Sequence, residues 1–195
     1  MSTVSERYSS VAIALHWLIA LAIILQLASG LWMVDALTVK ETQMRAFQVY
    51  QWHKSLGLTV LILSLLRLFW RLTHRAPPLP EGMTAWERLA AKATHVLFYV
   101  LIIALPLTGW VVVSASKLGL PTLYWNLFEW PHLPLGDMAA DAKAVLEERV
   151  GTLHEFLAYA TIGLLVLHIG AALKHHLVER DDVLSRMIPF LRRSG

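Results

Sequence analysis

The side chains in this sequence best suited to chemistry are imidazoles. The chain has nine histidines although 56% of its residues are apolar and only 16% are charged. Four of them, His16, His53, His154 and His168, lie inside or at the edges of long apolar runs. An ionisable ring is costly there unless it has a partner. His16 and His168 each fall about six residues from the same end of their runs, and His53 and His154 both fall near the opposite end. The four therefore form two pairs at two depths, each drawn from two helices. His154 and His168 are separated by 14 residues. On a helix that spacing leaves them about 40° apart in direction and about 21 Å apart in height. One face of one helix thus offers two neutral imidazoles, a ligand type well suited to iron.

The absence of cysteine narrows the metal chemistry. It excludes disulfides, thiolate sites, iron–sulfur clusters and covalent haem attachment through a C-x-x-C-H motif. Haem b needs only axial nitrogen ligands. Two bis-histidine haems would use the four residues at the heights where they occur. Arg67, Arg71 and Lys54 are candidate partners for haem propionates, Arg by bidentate contact and Lys as a point charge. Topological anchoring at the headgroups is the competing explanation. Small residues near the imidazoles (Ala12, Ala14, Ala20, Gly57, Gly163, Gly170) would let a helix or a flat macrocycle approach closely. His95 is a rival ligand at the depth of His16 and His168, with a propionate or quinone contact as its other readings. His175 and His176 lie at the membrane boundary, and His74 and His132 are expected to be solvated in loops. Lys117 reads as an ordinary loop residue. His154-Glu155 is not the start of a zinc helix, because Ala158 stands where the second histidine would be needed.

These residues must be carried by spanning helices. Charge is depleted relative to the roughly 25% of an average soluble protein, and four runs are long enough to cross a bilayer core of about 30 Å. The expected spans are about 11–34, 51–70, 94–115 and 151–173 in a single membrane domain, 1–195. The fold class is all-α, an integral membrane four-helix bundle. The third span contains Pro106, which membrane helices tolerate. A loop covers Arg75 to Gly82. Between the third and fourth spans, Leu118–Gly136 is rich in Pro, Trp and Leu, and Met138–Arg149 reads as a short amphipathic helix. No internal sequence repeat is apparent. One side of the bundle collects Arg7, Arg67, Arg71, Arg75, Arg88, Lys92, Lys174, Arg180, Arg186, Arg192 and Arg193, whereas basic residues on the other side are diluted by acids. The positive-inside rule then puts both termini in the cytoplasm. Five tryptophans (Trp32, Trp52, Trp110, Trp125 and Trp130) fall near the outer boundary, where indoles prefer to sit.

Several of these segments together resemble the bacterial cytochrome b561 family of four-helix dihaem membrane proteins, relatives of hydrogenase cytochrome b subunits. The matching pieces are Tyr8-Ser9 with Leu15-His16-Trp17; Trp52-His53-Lys54-Ser55-Leu56-Gly57; His95-Val96-Leu97-Phe98-Tyr99 with Ala104-Leu105-Pro106-Leu107-Thr108-Gly109; and Leu153-His154-Glu155 through His168 to His175-His176. The resemblance runs from about Tyr8 to about Pro189. It implies that His16 and His168 ligate a cytoplasmic-side haem b and that His53 and His154 ligate an outer one, the pairing that depth gives independently. Some members resemble superoxide:quinone oxidoreductases, taking electrons from superoxide at the periplasmic face and passing them to ubiquinone. His175 falls where that resemblance implies a quinone contact. The segment from Tyr124 to Pro131 has no counterpart in the family pattern, which leaves the electron donor open. The resemblance implies a multi-pass protein of the bacterial inner membrane, with lipid, quinone and superoxide or a redox protein as partners and no nucleic acid. Two other functions compete with an electron carrier. One is a haem-bearing anchor subunit of a dehydrogenase or hydrogenase, and the other is a non-redox transporter with histidines in a proton path.

Overall fold

The computed structural model describes residues 7–80, 82–188 and 191. Glu81, Pro189, Arg192 and Arg193 lie outside the described residues. Four long helices, α1 (Ser10–Thr38), α2 (Gln43–Thr73), α3 (Ala85–Ala115) and α4 (Ala140–Lys174), run through the chain. All four are long and apolar enough to cross a membrane. Each expected span lies inside one of them. The helices extend past the spans, and α4 takes in most of the amphipathic stretch expected to lead into the last span, from Ala140 onward. At 35 residues, α4 is about 52 Å long, well beyond the bilayer core.

Local chemistry explains where the helices begin. The Ser9 hydroxyl accepts from the Ala12 backbone N–H at 3.2 Å and caps α1. Thr84 and Glu87 form a reciprocal capping box at the start of α3, with Thr84 N–H on Glu87 Oε2 at 2.9 Å and Glu87 N–H on Thr84 Oγ1 at 3.3 Å. Helix α3 continues through Pro106. Two residues on, the Thr108 hydroxyl bonds back to the Ala104 and Leu105 carbonyls at 2.9 and 2.8 Å.

Helix α1 packs along α2, α2 along α3, and α3 along α4; α1 and α4 share no comparable seam. The seams hold small polar residues, with Ser64 and Thr161 fully buried and Ser55 nearly so. Small side chains of this kind let membrane helices approach closely. Large apolar residues such as Leu18, Leu21, Phe69, Val166 and Leu167 point outward, as a lipid-facing surface requires. The first and last described segments lie at one end of the bundle. There Trp17 Nε1 donates to the Met187 carbonyl at 2.9 Å, Trp70 Nε1 donates to Ser9 Oγ at 3.0 Å, and Lys174 Nζ pairs with Glu87 and Glu179.

The opposite end departs from a purely helical chain. Two short antiparallel strands, β1 (Thr122–Tyr124) and β2 (Phe128–Trp130), form a hairpin with Tyr124 opposite Phe128. Its turn places Trp125 (φ 49°) and Asn126 (φ 58°) in the left-handed region, which is unusual for tryptophan. Helix α2 holds it there. Ser55 Oγ donates to the Leu123 carbonyl at 3.0 Å and accepts from Trp125 N–H at 3.1 Å, and Trp125 Nε1 donates to Thr59 Oγ1 at 3.0 Å. Gln51 and Lys54 both donate to the Pro121 carbonyl, at 3.1 and 2.7 Å.

Candidate haem sites

At the hairpin end, the ring centroids of His53 on α2 and His154 on α4 are 6.4 Å apart. At the terminal end, those of His16 on α1 and His168 on α4 are 6.3 Å apart. Two imidazoles on opposite sides of one metal, with bonds of about 2 Å and ring centres about 1.2 Å beyond the nitrogens, have centroids about 6.4 Å apart. Both pairs therefore have the separation that a shared iron demands. His95 on α3 also reaches the terminal-side pair, 6.0 Å from His168, so it remains a competitor at that level. Phe98 packs edge-on against His168, centroids 5.2 Å apart.

The hairpin-side pair is built in duplicate. On α1, the Ser29 hydroxyl is 3.1 Å from His53 Nδ1 and donates its proton to the Gln26 carbonyl. On α3, the Thr108 hydroxyl is 2.9 Å from His154 Nδ1 and donates to the Ala104 and Leu105 carbonyls. A hydroxyl has one proton. A hydroxyl that gives that proton to the carbonyl is left to accept the imidazole's N–H. For His154 the Leu105 carbonyl, 3.0 Å from Nδ1, can only accept, so that nitrogen carries the hydrogen and Nε2 is left for a metal. Ligation of a metal by His53 Nε2 would put the hydrogen of that ring on Nδ1, facing Ser29. The next residue in each helix is glycine. A Cβ on Gly30 would lie 3.2 Å from His53 Cε1, and one on Gly109 would lie 3.3 Å from His154 Cε1. Each glycine thus makes room for the ring that its neighbour orients.

A cavity of about 600 Å³ surrounds this pair, lined by His53 and His154 with Leu27, Leu31, Leu58, Ile102, Leu105 and Val113 and edged by Asp35, Tyr50, Lys54 and Glu155. It lies within the roughly 300–1,000 Å³ range of cofactor pockets and has the apolar lining with few polar groups that such pockets share. The fit to a flat, apolar haem with polar substituents is good at this level. At the terminal level the fit rests on ring separation, with Arg67 half-buried on α2. Arg71, one turn further toward the end of α2, is exposed.

The protein matches the sequence profile of the prokaryotic cytochrome b561 proteins over residues 7–190. The chain belongs to the prokaryotic cytochrome b561 family. It is 34% identical to "Cytochrome b561 homolog 2" of Escherichia coli K12, across 94% of this chain and 92% of that relative. It is 28% identical to "Probable superoxide oxidase CybB" of Yersinia pestis, across 94% and 97% respectively. "Cytochrome b561 homolog 1" of E. coli K12 is 26% identical, across 94% and 98%. Family membership implies haem b and electron transport. With the four apolar helices, it makes the chain a multi-pass protein of the bacterial inner membrane.

Several residues play parts other than those their types suggested. Lys54 is buried and bonded to the Pro121 carbonyl, with Nζ also 5.0 Å from the Tyr50 ring centre; it fastens the hairpin. Gly57 admits Gln26, whose amide would stand 2.9 Å from a Cβ there and donates to the His53 carbonyl. Gly163 and Gly170 meet no protein atom within 4 Å of an added Cβ, whereas Gly30 and Gly109, adjacent to the rings, carry no local signal of that role. His132 is not solvated: its Nε2 is buried without a partner among the described residues. His74 caps α2 and stacks on Trp70 at 3.7 Å. His175 is buried in a π-helical turn, His175–Glu179, with Nδ1 2.5 Å from Glu179 and 2.6 Å from Asp181.

Proposed function

We propose that this protein is a dihaem b-type cytochrome that moves electrons across the bilayer to the quinone pool. Its ligand pairs are His53 with His154 and His16 with His168. The observation that carries the reading is the pair of interhelical ring separations, 6.4 and 6.3 Å. Haem iron, when bound, supplies a one-electron couple, and bis-histidine ligation favours outer-sphere transfer over oxygen binding. The chain's own residues set geometry and access. Ser29 and Thr108 orient the hairpin-side imidazoles, and the largely apolar cavity gives a flat macrocycle its walls. Arg67 offers positive charge beside the terminal-side rings, where propionates would be received. His95 stands beside His168 as a polar neighbour rather than a ligand. The basic residues gathered at the terminal end favour a cytoplasmic location for both termini.

For the substrates, the likeness to a probable superoxide oxidase supports superoxide as donor at the hairpin end and ubiquinone as acceptor. His175, held by two carboxylates at the terminal end, is the residue we assign to quinone. The test is a haem-to-protein ratio with a reduced-minus-oxidised spectrum, followed by mixing with superoxide and a ubiquinone analogue. Two haems per chain, reduced by superoxide and reoxidised by quinone, are expected. A preparation replete with haem that superoxide does not reduce would remove the superoxide step and leave an electron carrier. Stable co-purification with a soluble dehydrogenase would favour an anchor subunit instead.

A further inference from the structure

We infer that Ser29 and Thr108 are positioning residues that set how readily the hairpin-side iron is reduced, and that Ser29 does so more strongly than Thr108. This rests on the dihaem reading above and adds to it a tuning function for two hydroxyls. In the dihaem reading both rings ligate through Nε2 and carry hydrogen on Nδ1, and each hydroxyl, with a backbone carbonyl in reach of its own proton, is placed to accept that Nδ1–H. An accepted Nδ1–H raises the basicity of the ligating nitrogen. A more basic ligand favours the ferric state, so loss of the acceptor favours the ferrous state.

The two sides are not equally protected. His154 Nδ1 has a second acceptor, the Leu105 carbonyl at 3.0 Å. Nδ1 of His53 has Ser29 Oγ, and no second contact to it is recorded among the described residues. Removing the Thr108 hydroxyl leaves His154 with a backbone acceptor. Removing the Ser29 hydroxyl takes away the acceptor of His53. The same hydroxyl–glycine pair, Ser29-Gly30 and Thr108-Gly109, stands thirteen residues after a histidine in both α1 and α3, so the two devices occupy matching positions in the two helical hairpins.

The experiment is an optical redox titration of full-length, haem-loaded protein. The hairpin-side haem is identified as the one lost in His53→Ala. Ser29→Ala is expected to raise its reduced-to-oxidised ratio about ten-fold at fixed ambient potential, in line with the cost of losing an outer-shell partner. Thr108→Ala should shift the ratio by less, Ser29→Thr should restore the wild-type ratio, and the terminal-side haem should not respond. Ser29→Cys, a weaker acceptor of similar size, should give an intermediate shift and decides the matter if the alanine variant does not fold. A hairpin-side ratio unchanged in a haem-replete Ser29 variant overturns the inference, as does a larger shift for Thr108→Ala. Retention of both haems in His53→Ala would instead overturn the assignment of His53 as a ligand, on which the inference rests.

Discussion

His53 and His154 face each other across the bundle with ring centroids 6.4 Å apart, and each is backed by a hydroxyl and a glycine from the preceding helix of its own hairpin. Both supports come from the helix already packed against the ligand's own. Each imidazole is thus oriented within one helical hairpin, and the site forms when the two hairpins dock.

The ligand assignment predicts a partition of haem content. His53→Ala and His154→Ala should each lose about one haem per chain and spare the same remaining one, whereas His16→Ala and His168→Ala should lose the other. His95→Ala should keep both. Haem extraction and protein quantification on purified variants check this. Loss of a haem from His95→Ala with retention in His16→Ala would reassign the terminal-side pair.

The glycine contacts predict a steric effect confined to one haem. Gly30→Ala and Gly109→Ala introduce a Cβ 3.2–3.3 Å from an imidazole carbon, so the ring must shift by a few tenths of an ångström. Alanine also stabilises a helix by about 1 kcal/mol over glycine, so thermal stability should hold while the hairpin-side haem's absorption or resonance spectrum changes. Gly163→Ala, with no protein atom within 4 Å, is the control and should leave both spectra as they were.

The hairpin predicts a stability cost. Ser55 is nearly fully buried and makes three hydrogen bonds, two of them to the hairpin. Ser55→Ala leaves the Leu123 carbonyl and the Trp125 N–H without that partner, a loss of about 1–3 kcal/mol. It also frees Trp125 from one of its two ties to α2. Thermal unfolding in detergent should show the lower midpoint, and limited proteolysis should cut within 118–136 sooner than in wild type.

The carboxylates around His175 predict a kinetic separation. Asp181→Asn removes charge from the partner of His175 Nδ1 at 2.6 Å without touching either ligand pair. Under the assignment of His175 to quinone, quinone-dependent reoxidation should slow by about ten-fold, with haem content and reduction by the donor unchanged. Stopped-flow absorbance of the two half-reactions measures it. Equal slowing of both halves would place Asp181 in a general structural role.

The four helices and the two levels of histidine were legible because each depends on local pattern. Hydropathy marks Val11–Val34 as a span regardless of its neighbours, and the fourteen-residue step from His154 to His168 fixes their relative direction on one helix. The hairpin was not legible. Its strands are three residues each, and its turn is held by Ser55 and Thr59 from some seventy residues earlier. The same holds for Gly30 and Gly109, whose significance lies in rings on other helices. Lys54 illustrates the limit from another side: its place beside His53 suggested a cofactor contact, and nothing local showed that its amine would also tie the Pro121 carbonyl.

The matched hairpins and the missing α1–α4 seam together break the equivalence of the two levels. Matching α1 with α3 and α2 with α4 sends His53 onto His154, so the hairpin-side pair maps onto itself. The same matching sends His16 onto His95 and His168 onto Arg67, each at the same step along its helix. One level is therefore centred between the two halves of the bundle. The other draws its pair from α1 and α4, two helices that share no comparable seam. In the dihaem reading, a charge crossing from one level to the other would leave a site shared evenly by the two halves of the bundle and enter one that is not.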